Sequence, residues 1–214
     1  MTDLAKLLDA AAHGEFPPAD GSLTVLPQPS PRAAGVLAFT AHSVVFADAD
    51  PDWIRGLLPP DDLGAPLGPP FLSALCARTG RTAGSQDALL ALRPGETPRA
   101  APAEGLRETT DRAHPRVTRA LRYRDEVRAW TAPGGTVLVG RGVAGRWEVA
   151  VEVDATARGA GLGRALAAAA RELVPADETL WAQVAPGNAA SLRAFLAAGF
   201  TPVAAEVLLT YAGD

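Results

Sequence analysis

Apolar residues recur at Leu4, Leu7, Leu8 and Ala11 and stop before Gly14, a 3.6-residue period that predicts a short amphipathic helix at the start of the chain. Pro17, Pro18 and Gly21 break it. Residues 23–26 and 35–46 are rich in aliphatic, β-branched and aromatic side chains and predict strands on either side of the turn-rich PQPSPRAAG. Brief helices over 53–58 and 71–78 follow, then a strand over 87–92. The stretch 93–105, with three prolines and two glycines, reads as a linker.

Beyond it, residues 117–130 alternate. Leu121, Tyr123 and Val127 fall on one side and Arg122, Arg124, Glu126 and Arg128 on the other, the period of a strand with one wet face. A turn at Pro133-Gly134-Gly135 leads to a strand over 136–140, a turn over 142–145 and a strand over 147–153. In the last of these Trp147, Val149, Val151 and Val153 oppose Glu148, Ala150 and Glu152. These three strands predict an antiparallel meander.

Leu162, Leu166, Ala169 and Leu173 then line one side of a helix that Pro175 stops. Residues 180–184 form a short strand, and Asn188 caps a second helix that buries Leu192, Phe195 and Leu196 and ends at Gly199. Residues 201–211 return to strand. A helix crossing over between strands makes its two neighbours parallel. The succession predicts an α/β fold of mixed α+β kind, a central mixed sheet flanked by helices, with an additional N-terminal α/β region. The linker places that region in 1–104 and the core in 105–214. The strand, helix, helix, strand order of the first hundred residues leaves a degenerate second copy open.

At 214 residues, 48% hydrophobic and 21% charged, the chain buries a core without staples. Lys6 is the only lysine among 20 basic positions, which reads as composition bias. A net charge of -4 gives no overall reason to bind nucleic acid or an anionic membrane, so small molecules or proteins are the expected partners. Cys76 is the sole cysteine and reads as a packed thiol, and His13, His42 and His114 have no metal-ligand spacing, so no metal is expected. With no leader pattern and no long apolar run, the expected location is cytoplasmic. Trp53, Trp130, Trp147 and Trp181 read as core aromatics, and Asp48, Asp50, Asp52, Asp61 and Asp62 as a solvated acidic loop region able to attract a cation.

The chemistry is expected at Arg158-Gly-Ala-Gly-Leu-Gly163, where a strand runs through a glycine loop into a helix. Backbone N–H groups at a helix N-terminus and the helix dipole favour an anion there. Gly159, Gly161 and Gly163 let a ligand approach the main chain, and Arg158 and Arg164 can pair with phosphate oxygens. A dinucleotide fingerprint would need a glycine where Arg164 stands, and a nucleotide-triphosphate loop would need Lys-Ser or Lys-Thr after the glycines. Neither is present.

These residues resemble the central motif of the GNAT superfamily of acyl-CoA-dependent N-acyltransferases, a strand, then Arg/Gln-x-x-Gly-x-Gly/Ala, then a helix. Arg158, Gly161 and Gly163 fill it. APGNAASLRAFLAAGF is similar to the family's second signature, with Asn188, Gly199 and Phe200 in place, and Glu148 falls on its acidic position ten residues before the arginine. The resemblance covers residues 115–211. It implies a GNAT-like sheet, acetyl-coenzyme A as co-substrate, and transfer of an acetyl or similarly small acyl group to a small-molecule or peptide amine by direct attack on the thioester. The implied cofactor contacts are Val151 and Val153 through their main chain, Arg158 to Arg164 through Gly159, Ala160, Gly161, Leu162 and Gly163, and Asn188, Ser191 and Phe195.

A neutral amine is needed for attack, since an alkyl ammonium has a pKa of about 10.4 by the lysine reference. Glu148 is the first candidate for the base and Glu152 the second. The family usually protonates the departing thiolate from a tyrosine, but that position holds Phe195, which cannot donate a proton. Ser191, Tyr211, a water or no acid at all remain open. The missing tyrosine also admits a non-catalytic acyl-CoA-binding or sensor module, and a third reading makes residues 1–104 a partner-binding region on a scaffold. A homodimer is compatible with the sequence.

Overall fold

The computed structural model describes residues 3–211. By internal contacts the chain divides into two compact units, one of residues 1–88 and 203–214, the other of residues 89–202. In the first unit, helix α1 (Leu4–Ala12) is capped by Asp3, whose carboxylate accepts the Lys6 N–H at 2.8 Å. It buries Leu4, Leu7, Leu8 and Ala11, as the period predicts. Strands β1 (Leu23–Leu26), β2 (Ala34–Phe39) and β3 (His42–Phe46) follow, then helices α2 (Pro51–Gly56) and α3 (Pro69–Thr79) and the first part of β4 (Arg81–Leu92). The run expected as one strand over 35–46 is two, because the chain turns at Thr40 and at Ala41, which sits at φ 51°.

Strand β1 pairs parallel with β3, β3 antiparallel with β2, and β2 antiparallel with β10 (Thr201–Tyr211). Val36, Val45, Ile54, Phe71, Leu75, Val207 and Leu209 form the core of this unit. Asp50 caps α2 through the N–H groups of Asp52 and Trp53, and Asp62 accepts from Gly64 and Ala65, so two members of the acidic stretch are spent on local turns.

The second unit holds strands β5 (Arg107–Thr109), β6 (Asp125–Ala132), β7 (Gly135–Arg141), β8 (Trp147–Val153) and β9 (Leu180–Val184), with helices α4 (Pro115–Tyr123), α5 (Leu162–Ala169) and α6 (Ala189–Ala198). Strands β5 to β8 are antiparallel in sequence order, and β9 joins β8 in parallel after the α5 crossover. The meander, the crossover and the parallel pair match the sequence expectation. The stretch 93–105, read from sequence as a boundary linker, lies inside this unit. Its backbone is pinned where Arg99 N–H donates to Ala198 O and Ala103 N–H to Ala165 O, each at 3.0 Å, and the division falls instead within β4 and β10.

The largest departure from the sequence expectation is at 117–130, expected as one strand. Residues 115–123 are helical and the strand begins at Asp125. Pro115 stands at the start of the helix and the His114 ring nitrogen accepts the Arg116 N–H, a start signal that the alternating pattern obscured. Val117 and Ala120, one turn apart, pack on Ala129, Leu138 and Ala150. Leu196, expected in the core, is instead exposed on α6.

Arg119 lies on the exposed side of α4. Arg119→Gly is therefore expected to unfold in urea with a free energy about 1 kcal/mol lower than Arg119→Ala, the ordinary helix-interior difference. Equal stabilities would contradict the helix.

Candidate functional site

Strand β8 ends at Val153, the chain makes one short 3-10 turn over Ala155–Ala157, and the glycine loop opens α5. Gly161 is the N-cap at φ 85°, a conformation that a side chain rarely adopts. Its carbonyl accepts the Arg164 and Ala165 N–H groups at 3.1 Å, which leaves the N–H groups of Leu162 and Gly163 facing outward at the positive end of the helix. Residues Arg158, Gly159, Ala160 and Arg164 are exposed around them. Arg158 folds back so that its Nε donates to the Val153 carbonyl at 3.2 Å.

Beside this loop the sheet opens. The β8/β9 ladder pairs Trp147 with Leu180, Glu148 with Trp181 and Val149 with Ala182, and stops there, although β8 continues to Val153. On its other edge β8 is paired with β7 to the end. The Asp154 N–H donates to Gly134 O on the β7 side, whereas the Val153 carbonyl meets Arg158 on the opposite side. Main-chain direction alternates along a strand, so Val151 and Val153 both aim their N–H and C=O groups at the edge that β9 has left.

Glu148 and Glu152 project from the α4 side of β8. Glu148 is only 3% exposed, with Arg124 Nε and Arg146 Nε each 2.8 Å from its two oxygens and the Val143 N–H donating at 3.2 Å. A Cβ on Gly142 would stand 2.2–2.4 Å from this carboxyl group, so glycine there is a matter of space. Burial pushes the Glu148 carboxyl up, but the Arg146 and Arg124 guanidiniums, with the Arg146 and Val143 hydrogen bonds, outweigh it and hold the group below the ordinary carboxylate value. Glu152 is partly exposed, and Arg116 donates to it at 2.8 Å.

Helix α4 is thus fixed to β8 at both ends and packed in the middle. Eight residues of helix rise about 12 Å, and four residues of strand span about 13 Å. The Arg116–Glu152 and Arg124–Glu148 pairs can therefore form together only with helix and strand antiparallel. Arg116, Arg124, Arg146 and Gly142 were not foreseen from sequence. A helical reading after Pro115 would have put Arg116 and Arg124 eight residues apart beside the buried Val117 and Ala120.

On α6, Asn188 accepts the Ser191 N–H at 3.1 Å, the expected cap, and Gly199 closes the helix at φ 109°. Ser191 is half-buried in the first turn. Phe195 is buried, and its ring meets Phe200 edge-on with centroids 5.0 Å apart, so it serves the core of this unit. Tyr211 belongs to the first unit, where its hydroxyl accepts from Arg81 at 3.2 Å. Among the described residues no group of three or more His, Cys, Asp or Glu is placed to hold a metal ion, and no helix is long and apolar enough to cross a membrane.

Residues 96–200 match the Acetyltransferase (GNAT) family. No curated protein matches the chain in sequence. Among solved structures it is similar to a GCN5-related N-acetyltransferase from Kribbella flavida, with 21% identity and a TM-score of 0.45 over 68% of this chain and 65% of that one. An acetyltransferase from the GNAT family of Colwellia psychrerythraea gives 13%, 0.42, 65% and 61% in the same order. A GCN5-related N-acetyltransferase from Sphaerobacter thermophilus gives 18%, 0.39, 65% and 55%. The match thus spans less than two thirds of each of these three chains, and the assignment rests on residues 96–200.

Glu148→Gln leaves two largely buried guanidiniums without their carboxylate and is expected to cost about 3–5 kcal/mol in urea unfolding. The acid side carries the sign. A carboxyl lowered by folding contributes fully above its unfolded value of about 4.3 and loses that contribution as pH falls through the lower folded value. Wild type should lose stability across that window, and Glu148→Gln should show a shallower slope there.

Proposed function

Residues 96–200 of this chain are a GNAT-family acetyltransferase domain, and from that premise we propose that the protein transfers an acetyl group from acetyl-coenzyme A to a primary amine of a small molecule or peptide. The observation that carries the reading is the unpaired edge of β8 running directly into the Arg158–Gly163 loop. An extended arm rich in amides can replace the missing strand there, with Val151 and Val153 as main-chain partners. Its pyrophosphate would then lie over the outward N–H groups of Leu162 and Gly163, with Gly159, Ala160 and Gly161 close enough to let it approach and Arg158 and Arg164 as counter-charges.

In this reading the amine attacks the thioester carbonyl directly, and positioning with electrostatic stabilisation supplies most of the rate. Glu148 does not take the amine's proton. It is buried, and its lowered pKa makes it a weak base, so its part is to fix α4 and β8. Glu152, partly exposed beside the open edge, is the carboxylate left to attract the ammonium and accept its proton through water. Asn188 and Ser191 enter through the first turn of α6, and Phe195 supports the site by packing alone.

A second reading, an acyl-CoA-binding module without turnover, is favoured by the buried Phe195 where the family usually keeps its proton donor. Release of free thiol from acetyl-CoA across polyamines, amino acids, aminoglycosides and peptides separates the two. The expected result is thiol release with at least one amine, abolished by Glu152→Gln. Tight coenzyme A binding without release for any acceptor would sink the transferase reading.

The cofactor site has its own test. Gly161→Val forces a branched side chain to φ 85° and is expected to weaken coenzyme A binding by at least about tenfold by calorimetry, as a misplaced loop loses one or more charge-assisted hydrogen bonds. An unchanged affinity would place the pyrophosphate elsewhere.

A further inference from the structure

Beyond the carboxyl ends of β1 and β3 the first unit has a cavity of about 340 Å³, at the lower end of the ~300–1,000 Å³ of small-molecule sites. The two strands are parallel and stop together at Leu26 and Phe46, with the Ala47 N–H donating to Leu26 O at 3.2 Å. There their continuations part. The chain leaving β1 passes across the end of β3 to begin β2, whose Gly35 pairs with Phe46, while the chain leaving β3 turns into α2. A crevice where the connections of neighbouring parallel strands diverge is where open α/β sheets take their ligands. Val25, Leu26, Ala47 and Ala49 give the cavity apolar walls, and Gln28 and Asp48 are its polar side chains.

These two polar groups stand in fields of opposite sign. In the acidic stretch Asp50 caps α2 and Asp52 pairs with Arg55 at 3.0 Å, whereas the Asp48 carboxylate has no hydrogen-bond or ionic partner among the described residues. Behind Gln28 stands a cation. Arg81 is 5% exposed, and its guanidinium donates to Leu209 O at 3.1 Å, Pro31 O at 2.6 Å, the Tyr211 hydroxyl at 3.2 Å and Gln28 Oε1 at 3.4 Å. Its carbon lies 4.1 Å from the centre of the Tyr211 ring. Every one of these partners is neutral, and no carboxylate reaches Arg81 among the described residues. A buried charge without a counter-ion favours an anion nearby. A guanidinium has no acceptor, so it fixes the Gln28 amide with its oxygen toward Arg81 and leaves the NH2 group as a donor for the cavity that Gln28 lines.

We propose that this cavity binds a free aliphatic amino acid. The ammonium meets Asp48, the carboxylate meets the Gln28 NH2 group in the field of Arg81, and the side chain lies on Val25, Leu26, Ala47 and Ala49. A simple amine would leave the Gln28 and Arg81 side unanswered, and a simple carboxylate would be repelled by Asp48. The site lies wholly within the first unit, so it stands whether or not the second unit transfers acetyl groups.

The test is calorimetry on the full chain without acetyl-CoA. L-valine and L-leucine are each set against the corresponding amino alcohol, which lacks the carboxylate, and the deaminated acid, which lacks the ammonium. At least one of the two amino acids should bind, about tenfold or more tighter than either of its analogues, the worth of one hydrogen bond to a charged group. Asp48→Asn should weaken that amino acid at least about tenfold and leave the deaminated acid bound no more weakly than before. Gln28→Glu gives Arg81 a counter-ion and opposes the ligand's carboxylate, so the preference for the amino acid over its alcohol should vanish.

No binding of either amino acid overturns the proposal. So does a wild type that takes the alcohol or the deaminated acid as tightly, or a variant of either kind that keeps the wild-type affinities. Both exchanges nearly preserve the shape of the side chain, and circular dichroism checks the fold. Should a variant fail to fold, the comparison of the three probes on wild type decides alone.

Discussion

The second unit is organised around one carboxylate that could not be where it is without two guanidiniums. Glu148 lies in the strand next to the opening, and taking its charge out of water would cost several kcal/mol if it stood alone. Arg124 from the end of α4 and Arg146 from the turn before β8 compensate it, and Val143 adds a backbone donor. Three elements are therefore tied to one point: the helix on the face of the sheet, the turn between β7 and β8, and β8 itself. Gly142 is the complement of the same arrangement, because any side chain there would stand on the carboxyl group.

From this anchor the placement of the candidate site follows. With α4 held at Arg124 and again at Arg116, the face of β8 that carries Glu152 is bounded by a helix of fixed direction. The other edge of β8 is left without a partner where β9 diverges, and the strand delivers the chain into the glycine loop. A main-chain opening, a helix N-terminus and an accessible carboxylate thus lie within a few residues of each other on β8 and its continuation.

Much of this was legible in the sequence where a signal had no competitor. The Asn188 cap stands where it was expected and the glycine loop leads from its alternating strand into a helix as expected, whereas α5 ends at Ala169 and a 3-10 turn over Ala170–Leu173 carries the chain on to the Pro175 stop. The stretch 117–130 did have a competitor, because its apolar residues fit period 2 as well as a helix, and the start signal lay in a histidine and a proline just upstream. Glu148 was picked out as an important residue, but its kind of importance was hidden. Both partners come from other elements, and no spacing along the chain announces that Arg124 and Arg146 converge on it. Phe195 shows the reverse case, a residue whose chemical inability was plain from its type while its packing against Phe200 needed the structure.

The unpaired run of β8 from Ala150 to Val153 also bears on how the protein behaves when it has nothing bound. An open strand edge is a template for any extended chain, including another copy of the same protein, and natural sheets guard such edges. Here the edge is kept short, and one of its carbonyls is covered by Arg158. A ligand seated along that edge would complete the sheet, so occupancy and resistance to self-association would become the same property.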